Sequence, residues 1–110
     1  MILNLKSLNK FVAYYHFKMD TFQTAIELLR PEWLVASIDL GDAYYSIPIA
    51  LGDRTFLMLE WQGSYFQFTC LPNGLSCAPR IVTRILKPVY AHLRLLRHAC
   101  MGHVDDSLLQ

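Results

Sequence analysis

The sequence predicts an α+β domain, an antiparallel sheet with packed helices, and three observations carry that expectation. Apolar runs of strand length recur along the 110 residues, two of them joined by a probable hairpin turn at Gln62-Gly63. A long amphipathic stretch from about Ala78 toward Arg97 follows them. Carboxylates also stand inside apolar sequence: Asp39 closes the run Trp33-Leu34-Val35-Ala36-Ser37-Ile38-Asp39, and Asp105-Asp106 follow Gly102-His103-Val104.

The elements read in order as follows. The first 19 residues are basic and aromatic, with Lys6, Lys10, Tyr14, Tyr15, His16, Phe17 and Lys18. Asp20 or Thr21 caps a helix reaching about Arg30, with Phe22, Ile26 and Leu29 on one face and Pro31 as the stop. Leu34 to Asp39 reads as a buried strand, and Asp42-Ala43-Tyr44-Tyr45 as a tight turn or short helix ended by Pro48. Strands are expected over Thr55 to Trp61 and Ser64 to Cys70, then a loop at Leu71-Pro72-Asn73-Gly74. The long helix places Ile81, Ile85, Val89, Leu93 and Leu96 roughly on one side, and Pro88 should kink or divide it. Arg80, Arg84, Arg94 and Arg97 are its solvated face. A strand near Ala99 to Val104, a turn at Asp105-Asp106 and a return strand starting at Leu108-Leu109 complete the chain.

Composition bounds the function classes. The chain is one domain at most, and 54% of it is hydrophobic, so apolar faces are expected to meet other parts of a longer protein. A net charge of +1 does not announce a nucleic-acid binder by bulk charge. Cys70, Cys77 and Cys100 are an odd count at no paired spacing, which points to reduced thiols and an intracellular, soluble setting. The longest apolar stretch, about Trp33 to Leu51, contains Asp39 and Asp42 and is no membrane span. His98, Cys100 and His103 match no common zinc spacing.

Adjacent carboxylates repel, so a fold that gathers Asp105, Asp106 and Asp39 in apolar surroundings calls for a cation. Neighbours on a regular strand point to opposite faces, so a shared site requires a bend at the pair. Taken singly, each acid would ordinarily be a cap or turn residue, Tyr44-Tyr45 core aromatics, and Leu-Pro-Asn-Gly a turn. Their joint occurrence decides.

Four segments in order resemble the motifs of retroviral and retrotransposon reverse transcriptases, over essentially the whole chain. Ser37-Ile38-Asp39-Leu40-Gly41-Asp42-Ala43-Tyr44-Tyr45-Ser46-Ile47-Pro48-Ile49 is similar to their first catalytic motif. Leu71-Pro72-Asn73-Gly74-Leu75-Ser76-Cys77-Ala78-Pro79 is similar to the second, a substrate-side loop entering a helix. His103-Val104-Asp105-Asp106 resembles the catalytic hairpin, usually Tyr-x-Asp-Asp, and Leu5-Lys6-Ser7-Leu8-Asn9-Lys10 a segment of the fingers. The stretches around His16-Phe17-Lys18-Met19 and Asp39 to Tyr44 look closest to DIRS-like and gypsy-like elements.

The resemblance implies a partial polymerase palm, about 34–110, with a fingers-derived piece, about 1–33. It implies an RNA-directed DNA polymerase that transfers a nucleotide from a dNTP to a primer 3′-OH with two Mg²⁺ ions, Mn²⁺ being a substitute. In such sites the ions lie about 3.5–4 Å apart. By resemblance Asp39, Asp105 and Asp106 are catalytic and bind metal, with the backbone carbonyl of Leu40 as a further ligand. Asp42, Ala43, Tyr44, Asn73 and Gly74 meet the nucleotide, while Lys6 and Asn9 meet the RNA or DNA template and His103 and Val104 the primer. His103 departs from the usual Tyr and Asn73 from Gln or Phe, and neither departure removes a carboxylate. The remaining palm, thumb and RNase H portions of a parent polyprotein are expected to lie outside the chain. The alternative is a non-catalytic retroelement remnant with at most an interaction role.

Overall fold

A computed structural model describes residues 3–110, which divide into two units, each drawn from two stretches of chain. One unit takes residues up to Tyr15 and Tyr44–Ala78; the other takes His16–Ala43 and Pro79–Gln110. The mixture of helices and antiparallel strands is the α+β class expected.

In the first unit a short helix, α1 (Lys6–Asn9), precedes a 3₁₀ stretch at Leu51–Leu57. The ribbon of β2 (Met58–Trp61) and β3 (Ser64–Gln67) follows. Gln62 and Gly63 both take positive φ, 51° and 75°, which suits the tight turn that a twisted two-stranded ribbon needs. The strand expected from Thr55 begins only at Met58, because Leu51–Leu57 turns on itself and buries Leu57. Backbone bonds Ile49 N–H to Thr69 O and Leu71 N–H to Ile47 O, with a Pro48–Cys70 bridge, lay the Ile47–Ile49 segment along Thr69–Leu71. Leu5, Ile49, Leu57, Leu71, Pro72, Leu75 and Ala78 are buried here.

The second unit holds α2 (Phe22–Leu28), nearly all of α3 (Ala78–Leu95), and a three-stranded antiparallel sheet. That sheet consists of β1 (Ala36–Asp39), β4 (Cys100–His103) and β5 (Asp106–Leu109), ordered β1-β5-β4. Thr21 caps α2, its hydroxyl accepting from Thr24 N–H while the Thr24 side chain takes the Thr21 N–H, a reciprocal capping box. Ala25, Val82, Cys100 and Met101 are its buried side chains. Gln110 staples the sheet end: its backbone exchanges hydrogen bonds with Ala99, and its amide brackets Arg30 N–H (2.7 Å) and Arg30 O (2.9 Å).

Three expectations are corrected. Strand β1 is exposed at all four residues, because β5 alone pairs with it and Val35 and Ile38 keep about half their surface in solvent. Pro88 does not divide α3, which runs 18 residues through it; the ring removes one N–H, and the affected turn is exposed enough for water to satisfy the freed carbonyl. The buried side of α3 runs through Ala78 and Val82, while Ile85 and Val89 of the expected apolar face stay half-exposed. Among the described residues no helix is long and apolar enough to cross a membrane, and Cys70, Cys77 and Cys100 are free thiols.

Candidate active site

Two of the three acids are brought together by strand register. β1 and β5 pair antiparallel with Asp39 directly opposite Asp106, and β4 and β5 pair with His103 opposite Asp106. Directly opposed residues in such a pair have Cβ atoms about 4.5–5.5 Å apart. The Leu40 N–H donates to Asp105 O at 2.8 Å, so β1 stays attached to the hairpin one residue past its last ladder pair. Two carboxylates opposed across a pair, with a third at the adjoining turn, repel unless a cation lies among them.

The turn is tighter and earlier than expected. Only Val104 and Asp105 link β4 to β5, and Asp106 already belongs to the return strand. Val104 takes φ +57°, a left-handed conformation that a β-branched side chain adopts at a cost of order 1–3 kcal/mol. A positive first turn residue is what a two-residue hairpin demands, and glycine ordinarily supplies it.

All three acids are exposed rather than carried into a core, which corrects the burial expected from their apolar flanks. The flanking side chains are themselves largely in solvent, so they do not enclose the carboxylates. Among the described residues no group of three or more His, Cys, Asp or Glu side chains is gathered closely enough to hold a metal ion. The donor set still suits a hard divalent cation: carboxylate oxygens on facing strands, with the Leu40 carbonyl next in chain.

His103 is held from behind. Its Nδ1 lies 2.9 Å from Asp20 O, and a carbonyl only accepts, so Nδ1 carries the hydrogen. The Asp20 carboxylate accepts the Gly102 N–H at 3.2 Å and lies 3.8 Å from Arg94. Behind the hairpin Tyr90 of α3 shares a 2.6 Å hydrogen bond with the Ser107 hydroxyl. Gly102 is what admits that ring: a Cβ there would fall inside the Tyr90 phenol. Sequence reasoning missed Asp20, read only as a possible helix cap, and Tyr90, because both act across distant segments with no local spacing.

The remaining site residues fall as follows. Asp42 (φ +54°) and Ala43 belong to the second unit, after Leu40. Tyr44, Asn73, Gly74, Lys6 and Asn9 belong to the first. There the Asn9 amide clamps the second motif: Nδ2 donates to Gly74 O at 2.9 Å and Oδ1 accepts Ser76 N–H at 2.9 Å. Gly74 takes φ +93°, and Asn73 Nδ2 donates to the Tyr45 hydroxyl at 3.3 Å.

Comparison with known proteins decides the family. The model of the family "Reverse transcriptase (RNA-dependent DNA polymerase)" matches residues 1–110. The chain belongs to the reverse transcriptase family. It is 33% identical over 85 residues to the Gag-Pol polyprotein of Rous sarcoma virus subgroup C (strain Prague), covering 70% of this chain and 5% of that polyprotein. Against the Tf2-7 transposon polyprotein of Schizosaccharomyces pombe identity is 23% over 107 residues, 97% of this chain and 7% of the relative. The chain therefore spans only a small part of the length of these polyproteins.

Solved structures share the fold. The foamy viral protease-reverse transcriptase in complex with RNA/DNA hybrid aligns with a TM-score of 0.81 at 21% identity, covering 99% of this chain and 14% of that one. A foamy viral protease-reverse transcriptase in complex with double-stranded DNA gives 0.83 at 20% identity, covering all of this chain and 19% of that one.

Proposed function

We infer that the chain is the catalytic core of a two-metal, RNA-directed DNA polymerase, with about 34–110 contributing palm and about 1–33 fingers. One observation carries the reading: Asp39 stands opposite Asp106 across β1–β5, with Leu40 N–H closing on Asp105 O. Asp39, Asp105, Asp106 and the Leu40 carbonyl would hold two Mg²⁺, or Mn²⁺ in their place. When bound, such ions neutralise charge on the attacking and leaving oxygens.

This chain's own residues do the rest. The Asp42 and Ala43 amides face the triphosphate of the incoming dNTP, and the Tyr44 ring lies under its sugar, where bulk rejects a ribose 2′-hydroxyl. Asn73 and Gly74 line the nucleotide pocket, kept in place by the Asn9 clamp. Lys6 and Asn9 meet the template, RNA or DNA, whose sequence is read by base pairing and so asks the protein only for shape and backbone contacts. His103, oriented by Asp20, and Val104 meet the primer end.

Because the chain spans only 5% and 7% of two polyprotein relatives, synthesis is expected to need further palm and thumb. The test is primer extension on an RNA template with Mg²⁺ and dNTPs. The 110-residue chain alone should give no robust synthesis, and a longer polypeptide that joins it to the remaining palm and thumb of a reverse transcriptase should. In that longer polypeptide Asp105→Asn should cut extension by at least about 10³-fold, the equivalent of several kcal/mol of charge stabilisation. No extension by the longer polypeptide would favour the non-catalytic remnant, and extension indifferent to Asp105→Asn would contradict the role assigned to Asp105.

A further inference from the structure

Half of the cationic side chains of this chain line one groove. It has a volume of about 440 Å³ and lies in the second unit, between α3, the segment His16–Asp20 and the β4 strand. Lys18, Arg80, Arg84, Lys87 and Arg94 line it, five of the chain's ten Lys and Arg, against one carboxylate, Asp20, of its nine Asp and Glu. A chain with net charge +1 therefore concentrates its positive charge at one place. The sequence alone places these arginines on a solvated helix face; the fold sets Lys18 opposite them and makes a cleft.

The cations form a line. Arg80, Arg84, Lys87 and Arg94 recur at helix-face spacing along α3, which continues unbroken through Pro88 and keeps them in one register. At 1.5 Å per residue the row is about 21 Å long. One nucleic-acid strand carries a charge about every 3.4 Å, so the row matches about six phosphates. A single triphosphate is too short to use it. Asp20 pairs with Arg94 at 3.8 Å, whereas Lys18, Arg84 and Lys87 have no carboxylate partner among the described residues. Phe17 and Tyr90 also line the groove and add ring surface on which a base can stack.

We propose that this groove is a second nucleic-acid contact, apart from the motif residues, that holds the sugar–phosphate backbone of one strand beside the catalytic hairpin. The inference rests on the polymerase reading for which strand is held, but not for the binding itself. The groove reaches the hairpin through Asp20, whose carboxylate takes Gly102 N–H and whose carbonyl takes His103. A strand seated there would be positioned next to the primer contact.

The experiment is fluorescence anisotropy of a labelled single-stranded 12-mer with the 110-residue chain, without divalent ions, as a function of salt. Arg84→Gln with Lys87→Gln, both at exposed helix positions, should weaken binding at least fivefold. The slope of log K against log salt should become shallower by about 1.4, since each phosphate left without its cation removes about 0.7. Lys10→Gln, exposed in the other unit, should change neither. Affinity should rise with oligomer length up to about six nucleotides. An unchanged double variant would overturn the proposal. Displacement by tripolyphosphate at the same concentration as by the 12-mer would overturn the polymer assignment in favour of a small-anion site. Asp105→Asn should leave this binding intact, so a failure of the catalytic reading and a failure of the groove give different results.

Discussion

Val104 carries the conformational cost of the catalytic hairpin turn. A valine at φ +57° is held there because β4 and β5 continue their ladder on either side and leave two residues to reverse direction. Val104→Gly removes that strain, of order 1–3 kcal/mol, while adding about 1 kcal/mol of unfolded-chain freedom. Its urea midpoint should therefore rise, and a lower midpoint would mean that the valine side chain stabilises the turn by packing. Gly102 is the converse case. A methyl group there collides with the Tyr90 ring, so Gly102→Ala should cost about 1–3 kcal/mol by urea unfolding. Tyr90→Phe, which removes only the hydrogen bond to Ser107, should cost about 0.5–1.5 kcal/mol. If the two variants cost the same, the Tyr90 hydroxyl and not the close approach of the ring fixes the hairpin.

At the scale of elements, local signals were legible where chemistry is local. Gln62-Gly63 marked its turn, the pair Asp20-Thr21 marked the start of α2, and the periodicity of α3 marked a long helix. What was not legible depends on partners far along the chain. Nothing near Asn9 points to Gly74 and Ser76, 65 and 67 residues away, and nothing near Asp20 points to Gly102 and His103. The exposure of β1 has the same origin: an apolar run specifies what a strand can cover, and the fold specifies what is there to cover it. Pro88 does not divide α3 because its penalty is bounded, about 3 kcal/mol, and an 18-residue helix with packed Ala78 and Val82 outlasts it. Pro88→Ala should accordingly raise stability toward that bound and increase helicity by circular dichroism. No gain would indicate that α3 is already bent to relieve the ring.

For the whole molecule, exposed apolar surface is the dominant property. Leu34 is 95% exposed, Trp61 59% and Phe56 69%, and β1 is an edge strand open on both faces. Surface of this kind marks contact with further protein, and an unpaired edge offers main-chain donors and acceptors to another chain. The chain matches only 5% and 7% of the length of two polyprotein relatives, which are far longer chains. In isolation the chain should self-associate at micromolar concentration by light scattering, and more so as salt is added; a strictly monomeric species would mean that these faces are covered by one another.

The four motifs made the family legible because each is a short run with its own chemistry, whereas the geometry joining them depended on register. That register is the central claim, and metal titration tests it most directly. With Mn²⁺ added to the isotope-labelled chain, paramagnetic broadening should strike the amides of Ile38 to Leu40 and His103 to Ser107 together, and should vanish in Asp39→Asn combined with Asp105→Asn. Broadening centred elsewhere, or unchanged in the double variant, would contradict a two-metal site at Asp39, Asp105 and Asp106.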